Sequence, residues 1–188
     1  MAPRLECNQT ARILGIDPGS RLTGYGIIEM HAGRAIWVGS GCIRIKGEDL
    51  ANRLRILVEG LAEIVDQHQP AVVAVEQVFM HRNADSALKL GQARGAAISV
   101  VAGRHLPVHE YTPTQIKKAI VGKGNAAKEQ VQHMVKAMLG LSHFPQEDAA
   151  DALAVALCHA HTAQTLSRMT PTQALLHRSH RSRRGRLR

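Results

Sequence analysis

Asp17 closes the apolar run Ile13-Leu14-Gly15-Ile16, and Glu76 closes a second, Ala71-Val72-Val73-Ala74-Val75. Asp148 and Asp151 lie three residues apart in an Ala- and Leu-rich stretch, a spacing that puts both on one helix face about one turn apart. Each acid has an ordinary alternative. A strand-end acid often caps a loop, and acids near a helix start interact well with its exposed amides. Asp151 is harder to dismiss, because a charge among Ala150, Ala152, Leu153 and Ala154 needs a partner or a metal if it is buried. Four convergent carboxylates repel one another unless cations bind. Hard oxygen donors suit Mg²⁺, with Mn²⁺ as a substitute. Two such ions position a water, polarise a phosphodiester and stabilise the leaving 3′ oxygen. None of the 11 histidines falls in a zinc motif, and His143, His159 and His161, nearest the acidic pair, read as surface or packing residues.

A basic set accompanies the acids. Lys117, Lys118, Lys123 and Lys128 surround a glycine-containing loop, tempered by Glu129. Singly they read as surface lysines; together they form a phosphate-facing patch.

The elements that must position these residues follow from periodicity. Residues 13–16, 23–28 and 35–38 read as strands of an antiparallel meander, with turns at Pro18-Gly19-Ser20 and Gly33. Leu50, Leu54, Leu57, Leu61 and Ile64 make an apolar helix stripe that ends before Pro70. The wholly apolar run 71–75 is a strand buried on both faces. If it runs parallel beside the first strand, Asp17 and Glu76 emerge at the same end of the sheet, where open α/β sheets hold their sites. A helix follows from a cap at Asn83 to about Ala102, stopped by Gly103. Within it, Gly91 and Gly95 permit close approach of another backbone or helix. Val108-His109-Glu110-Tyr111 is a short strand. Thr112, Pro113 and Gln115 form a helix start with a capping box. Gly122, Gly124 and Asn125 end that helix; another spans 127–139 with Val131, Val135 and Met138 or Leu139 inward, and a last runs from Glu147 to about Thr165. The order implies a mixed sheet with helices on its faces.

The 188 residues suit one domain with a real core, and 45% hydrophobic content excludes a disordered body. The net charge of +9 is concentrated at the end: residues 168–188 hold seven of the 24 basic side chains and none of the 15 acidic ones. Such a tail favours a polyanion or simply solubilises the chain. We read residues 1–11 as a leader, 12–165 as the folded domain and 166–188 as a flexible basic tail. Cys7, Cys42 and Cys158 are widely spaced and odd in number, which fits a reducing compartment. The absence of a transmembrane-length or signal-type apolar run suits a cytoplasmic protein without a membrane partner.

Four stretches carry a family resemblance: Ile13-Leu14-Gly15-Ile16-Asp17-Pro18-Gly19-Ser20; Glu76 with Phe79-Met80; Asn83 through Gly95; and Asp148-Ala149-Ala150-Asp151-Ala152-Leu153-Ala154. The chain resembles the bacterial crossover junction endodeoxyribonucleases, the Holliday junction resolvases of ribonuclease-H-like fold, over roughly residues 12–162. The Asp-Pro-Gly segment is shared with actin-like kinases and ATPases; the long middle motif with acids on both sides is specific. The resemblance implies an α/β fold with a five-stranded mixed sheet flanked by helices. It implies a homodimer that resolves a four-way DNA junction by two symmetric nicks, leaving ligatable ends with 5′ phosphates, beside a branch-migration complex. Asp17, Glu76, Asp148 and Asp151 match the family's four acidic catalytic positions; some relatives have histidine at the last. Phe79 matches an aromatic that stacks on junction bases, and Lys117 and Lys128 match basic positions implicated in DNA contact and catalysis. A non-catalytic junction binder, another ribonuclease-H-like nuclease and an actin-like ATPase are the competing readings.

Overall fold

The structure is a computed structural model that describes residues 11–47, 49–77 and 84–168. Phe79 and the expected cap Asn83 lie outside the described residues, as do residues 1–10 of the expected leader and 169–188 of the expected tail.

Three strands open the chain: β1 (Ala11–Asp17), β2 (Leu22–His31) and β3 (Arg34–Arg44). Ala32 and Gly33, both at positive φ, turn β2 into β3, a two-residue reversal whose twist suits a hairpin. The helix α1 (Leu50–His68) follows, its first turn capped by Asp49, which accepts from the Asn52 amide. β4 (Val72–Glu76), α2 (Ala84–Ala102) and β5 (Val108–Tyr111) come next. The chain ends in α3 (Pro113–Val121), α4 (Lys128–Leu139) and α5 (Glu147–Arg168). The five strands form one mixed sheet in the order β3-β2-β1-β4-β5. β1 pairs antiparallel with β2 and parallel with β4, and β4 pairs parallel with β5.

The strand period of two assigns the faces. Leu14, Ile16, Ile27, Val73 and Val75 pack against Leu61, Ile64, Ala97 and Val101 of α1 and α2. Ile13, Ile28 and Ala74 pack on the opposite face against Leu153, Ala154, Ala156 and Leu157 of α5. Val73, Ala74 and Val75 are fully buried, as the unbroken apolar run predicts. The α1 stripe is shorter than its period suggests: Leu57, Leu61 and Ile64 are buried, but Leu50 at the first turn is exposed. α5 runs past the expected Thr165 to Arg168, and Gln164 holds it to the hairpin by donating to the Gly33 carbonyl at 2.9 Å.

The seat of α5 is built from glycine. Gly15 of β1 pairs with Gly26 of β2, and Asp17 pairs with Gly24. A Cβ on Gly15 would stand 2.0 Å from the Ala152 carbonyl, one on Gly24 2.0 Å from the Asp148 carbonyl, and one on Gly26 2.7 Å from the Leu153 backbone. The helix therefore lies almost on the strand backbones, and its own alanines are the matching half of that contact. No described helix is long and apolar enough to cross a membrane.

Candidate active site

Asp17 and Glu76 leave the sheet together. Ile16 of β1 is paired with Val75 of β4, so the next residue on each strand is an acid at the same carboxyl end. Both are in phase with Gly15 and Ala74, hence on the α5 face. Asp148 and Asp151 lie in the first turns of α5, over Gly24 and beside β1. Seated on glycine, this helix brings its acids onto the strand ends.

The electrostatics record the convergence. Burial pushes the Asp17 carboxyl up to about 8, with Glu76, Asp151 and Asp148 adding repulsion and Lys128 opposing it. Glu76 is pushed up to about 7 by burial and by Asp151, against the pull of Lys128 and Lys117. Asp151 is raised as well, chiefly by burial, and Lys128 partly offsets this through a 2.8 Å ion pair. The Lys128 ammonium also lies 2.6 Å from Glu147. Burial lowers the Lys128 ammonium, and its two carboxylate partners more than offset this and hold it above the ordinary lysine range.

Glu76, Lys117, Lys128 and Asp151 line one cavity, closed on its apolar side by Pro113, Ile116, Val131 and Ala154. The capping box that begins α3 directs Lys117 there. Thr112 accepts from the Gln115 amide at 3.2 Å, and the Gln115 side chain accepts from the Thr112 amide at 2.8 Å. Lys118 and Lys123 are exposed and do not line this cavity.

The donor set is carboxylate oxygen throughout, and its excess negative charge suits hard divalent cations. Among the described residues no three His, Cys, Asp or Glu side chains are grouped so as to hold one ion as they stand. In this arrangement an oxygen of Asp151 is taken by Lys128. The three histidines nearest the acidic pair in sequence find partners elsewhere. His159 is buried and shares a 2.8 Å hydrogen bond with the Tyr111 hydroxyl, burial holding it near 4 and therefore neutral. His161 lies 3.2 Å from the Ala119 carbonyl, and exposed His143 lies beside Ser142.

Two features escaped the sequence reading. One is Glu147 as a partner of Lys128, whose only sequence signal was an acid one turn before Asp151. The other is the glycine seat, signalled by Gly15, Gly24 and Gly26 at alternate positions of adjacent strands.

A five-stranded sheet of this order, with acids at the ends of β1 and β4 and on a helix crossing them, defines a ribonuclease-H-like fold of the nuclease class. The profile of the family "Crossover junction endodeoxyribonuclease RuvC" matches residues 13–159. A crossover junction endodeoxyribonuclease of Tolumonas auensis is 57% identical over 176 residues, which cover 94% of this chain and 98% of that one. One from Aeromonas hydrophila is 61% identical over 157 residues, 84% of this chain and 91% of that one. The structure of Thermus thermophilus RuvC in complex with a Holliday junction substrate superposes with a TM-score of 0.78 at 35% identity, covering 82% of this chain and 96% of that one. The chain belongs to the RuvC family of crossover junction endodeoxyribonucleases. It is a structure-selective endonuclease that resolves Holliday junctions.

Proposed function

We propose that Asp17, Glu76, Asp148 and Asp151 hold Mg²⁺, with Mn²⁺ able to replace it, as a pair of ions in each active site. The observation that carries this reading is the buried Asp17 carboxyl, raised to about 8 by burial and by the other three acids. Four carboxylates so crowded call for cationic charge beyond what Lys128 and Lys117 supply. When bound, such ions supply Lewis acidity at the phosphodiester and an activated water, so no covalent protein intermediate is needed. Asp17 and Glu76 fix the donor oxygens on rigid strand ends. Asp148 and Asp151 complete the set from α5 and orient water. Lys117 and Lys128, on the cavity wall, neutralise the phosphate and charge that grows on it. Lys118 and Lys123 extend the basic patch along the DNA. Phe79 follows Glu76 by three residues and stacks on bases opened at the junction centre.

Each chain carries one set of acids, so paired symmetric cuts call for two copies, a homodimer with twofold symmetry matched to the four-way junction. The proposed setting is the cytoplasm, beside a branch-migration complex that delivers the junction.

The test uses an end-labelled mobile four-way junction and a linear duplex of matched sequence, each with Mg²⁺, with products mapped at nucleotide resolution. Symmetric nicks in the junction alone are expected. Asp17→Asn should fold and bind the junction while cleavage falls by roughly a hundredfold or more, the scale of losing an electrostatic catalytic group. Full Mg²⁺-dependent cleavage by folded Asp17→Asn would remove Asp17 from the machinery. Tight binding with no products under any divalent ion would favour a non-catalytic junction binder.

A further inference from the structure

We infer that Glu147, which is not one of the four proposed metal-holding acids, is a positioning residue that retains Lys128 at the mouth of the site when Asp151 turns to a cation. The inference rests on the four-carboxylate reading and adds to it a place for the lysine.

Lys128 bridges two carboxylates of one helix face that differ in exposure. Glu147 and Asp151 are one turn apart on α5. The Asp151 side chain is 20% exposed and lines the cavity with Glu76, whereas that of Glu147 is 62% exposed. The ammonium group contacts both, at 2.6 Å to Glu147 and 2.8 Å to Asp151. A lysine ammonium is a compact charge with three donors on a flexible stem. The base of that stem is fixed, because Lys128 is the first residue of α4 and the Gln130 side chain accepts from the Ala127 amide at 3.0 Å. Only the stem has freedom to move.

This geometry creates a competition. An ammonium on an Asp151 oxygen stands in for part of the charge that a metal ion would bring there. An ion binding that oxygen competes with it for the same negative charge. Without Glu147 the displaced ammonium has no partner among the groups it now contacts. With Glu147 it swings on one retained ion pair and stays beside the cavity that Glu76, Lys117 and Asp151 line. Glu147 therefore eases the release of Lys128 from Asp151 and keeps its charge within reach of the phosphate. The ordinary alternative is that Glu147 only complements the amides at the start of α5. That role would not depend on Lys128, and a double-mutant cycle separates the two.

The experiment compares full-length wild type, Glu147→Gln, Glu147→Asp, Lys128→Met and the double variant Glu147→Gln/Lys128→Met. Mn²⁺ affinity without DNA is read from the spin-resonance signal of the free ion. Junction affinity is measured without metal, and single-turnover cleavage at saturating metal. Glu147 is exposed, so melting temperatures should match and exclude misfolding. In Glu147→Gln we expect Mn²⁺ affinity to fall about fivefold, the upper range for a half-exposed ion pair. Cleavage should fall about tenfold, as for residues that orient a metal ligand, while junction affinity changes less than about twofold. Glu147→Asp should recover most of both losses. In the Lys128→Met background, Glu147→Gln should have almost no further effect.

Equal losses in both backgrounds would overturn the inference, because Glu147 would then act as an independent charge. So would an unchanged Glu147→Gln in a wild type that binds Mn²⁺. A wild type that binds no Mn²⁺ and cuts nothing would overturn the four-carboxylate reading itself, and this inference with it.

Discussion

Asp17 makes the cost of crowding four carboxylates measurable. Its carboxyl is raised to about 8 and that of Glu76 to about 7. In the unfolded chain both ionise near 4, as exposed carboxylates do. Between these values the folded protein holds protons that the unfolded chain has released, so stability falls as pH rises through this window and levels off above it. His159, held neutral near 4 by burial, contributes the opposite slope below about pH 6.5. The clean interval is therefore about pH 6.5 to 8. There, metal-free protein should lose thermal stability with rising pH, and Mg²⁺ should remove most of the loss. Asp17→Asn should flatten the slope and melt at least about 3 °C higher than wild type at the alkaline end, the shift that ~1 kcal/mol gives a domain of this size. Circular-dichroism melts of both proteins, with chelator and with Mg²⁺, decide it. Parallel pH curves for the two proteins would mean that the Asp17 carboxyl is not the strained group. The same variant serves the cleavage test, so loss of activity with a gain in stability would separate a functional acid from a structural one.

The acids depend on how closely α5 approaches the sheet, which makes Gly24 a residue of the site although it has no side chain. Its added Cβ would meet the Asp148 carbonyl at 2.0 Å, a backbone atom that cannot rotate away. Gly24→Ala must push the helix start off β2, at a cost of about 1–3 kcal/mol for overpacking. A displacement of about 1 Å at Asp148 should cost cleavage roughly a hundredfold, with the protein still folded. Denaturant titration and single-turnover cleavage check the two halves; a stable and fully active Gly24→Ala would mean that α5 can shift without moving its acids. Legibility in the sequence divides along the same line. The strand ends at Asp17 and Glu76, the buried β4 and the Thr112 capping box were all readable, because each is a local pattern whose period or spacing states its geometry. Leu50 misled, because the helix period continues into a first turn that the sheet does not cover. The alternate glycines of β1 and β2 did not say what they seat, and no spacing stated the Lys128 bridge. Gly24 and Asp148 are 124 residues apart and Lys128 and Glu147 are 19 apart, and only the packing of α4 and α5 on the sheet brings Gly24 beneath Asp148 or Lys128 beside Glu147. Resemblance to a family supplied the roles of single residues in advance, but nothing local announced what holds them in place.

At the scale of the molecule the exposed side of α2 stands apart. Ala84, Leu88, Gly91, Gly95 and Ser99 form an exposed stripe along it, and Leu88 is 62% exposed. A Cβ on Gly91 or Gly95 would meet nothing within 4 Å, in contrast to the glycines under α5. Two glycines inside a helix cost about 1 kcal/mol each relative to alanine, and among the described residues no close contact at either position repays it. Close approach of a second helix would, and a twofold axis beside this stripe would bring α2 of each subunit against its mate. This supports placing the proposed homodimer interface on α2. Gly91→Ala/Gly95→Ala should then act with opposite signs on two quantities. The isolated chain should gain up to about 2 kcal/mol from helix propensity, while self-association, measured by sedimentation across a dilution series, should weaken by tenfold or more as the methyl groups hold the helices apart, roughly the 1.4 kcal/mol that a modest overpacking penalty delivers. With dimers depleted, junctions should accumulate products nicked on one strand, because each chain keeps its acids but loses its partner's timing. A stabilised double variant that associates as tightly as wild type would move the interface elsewhere and leave the paired glycines of α2 without an explanation.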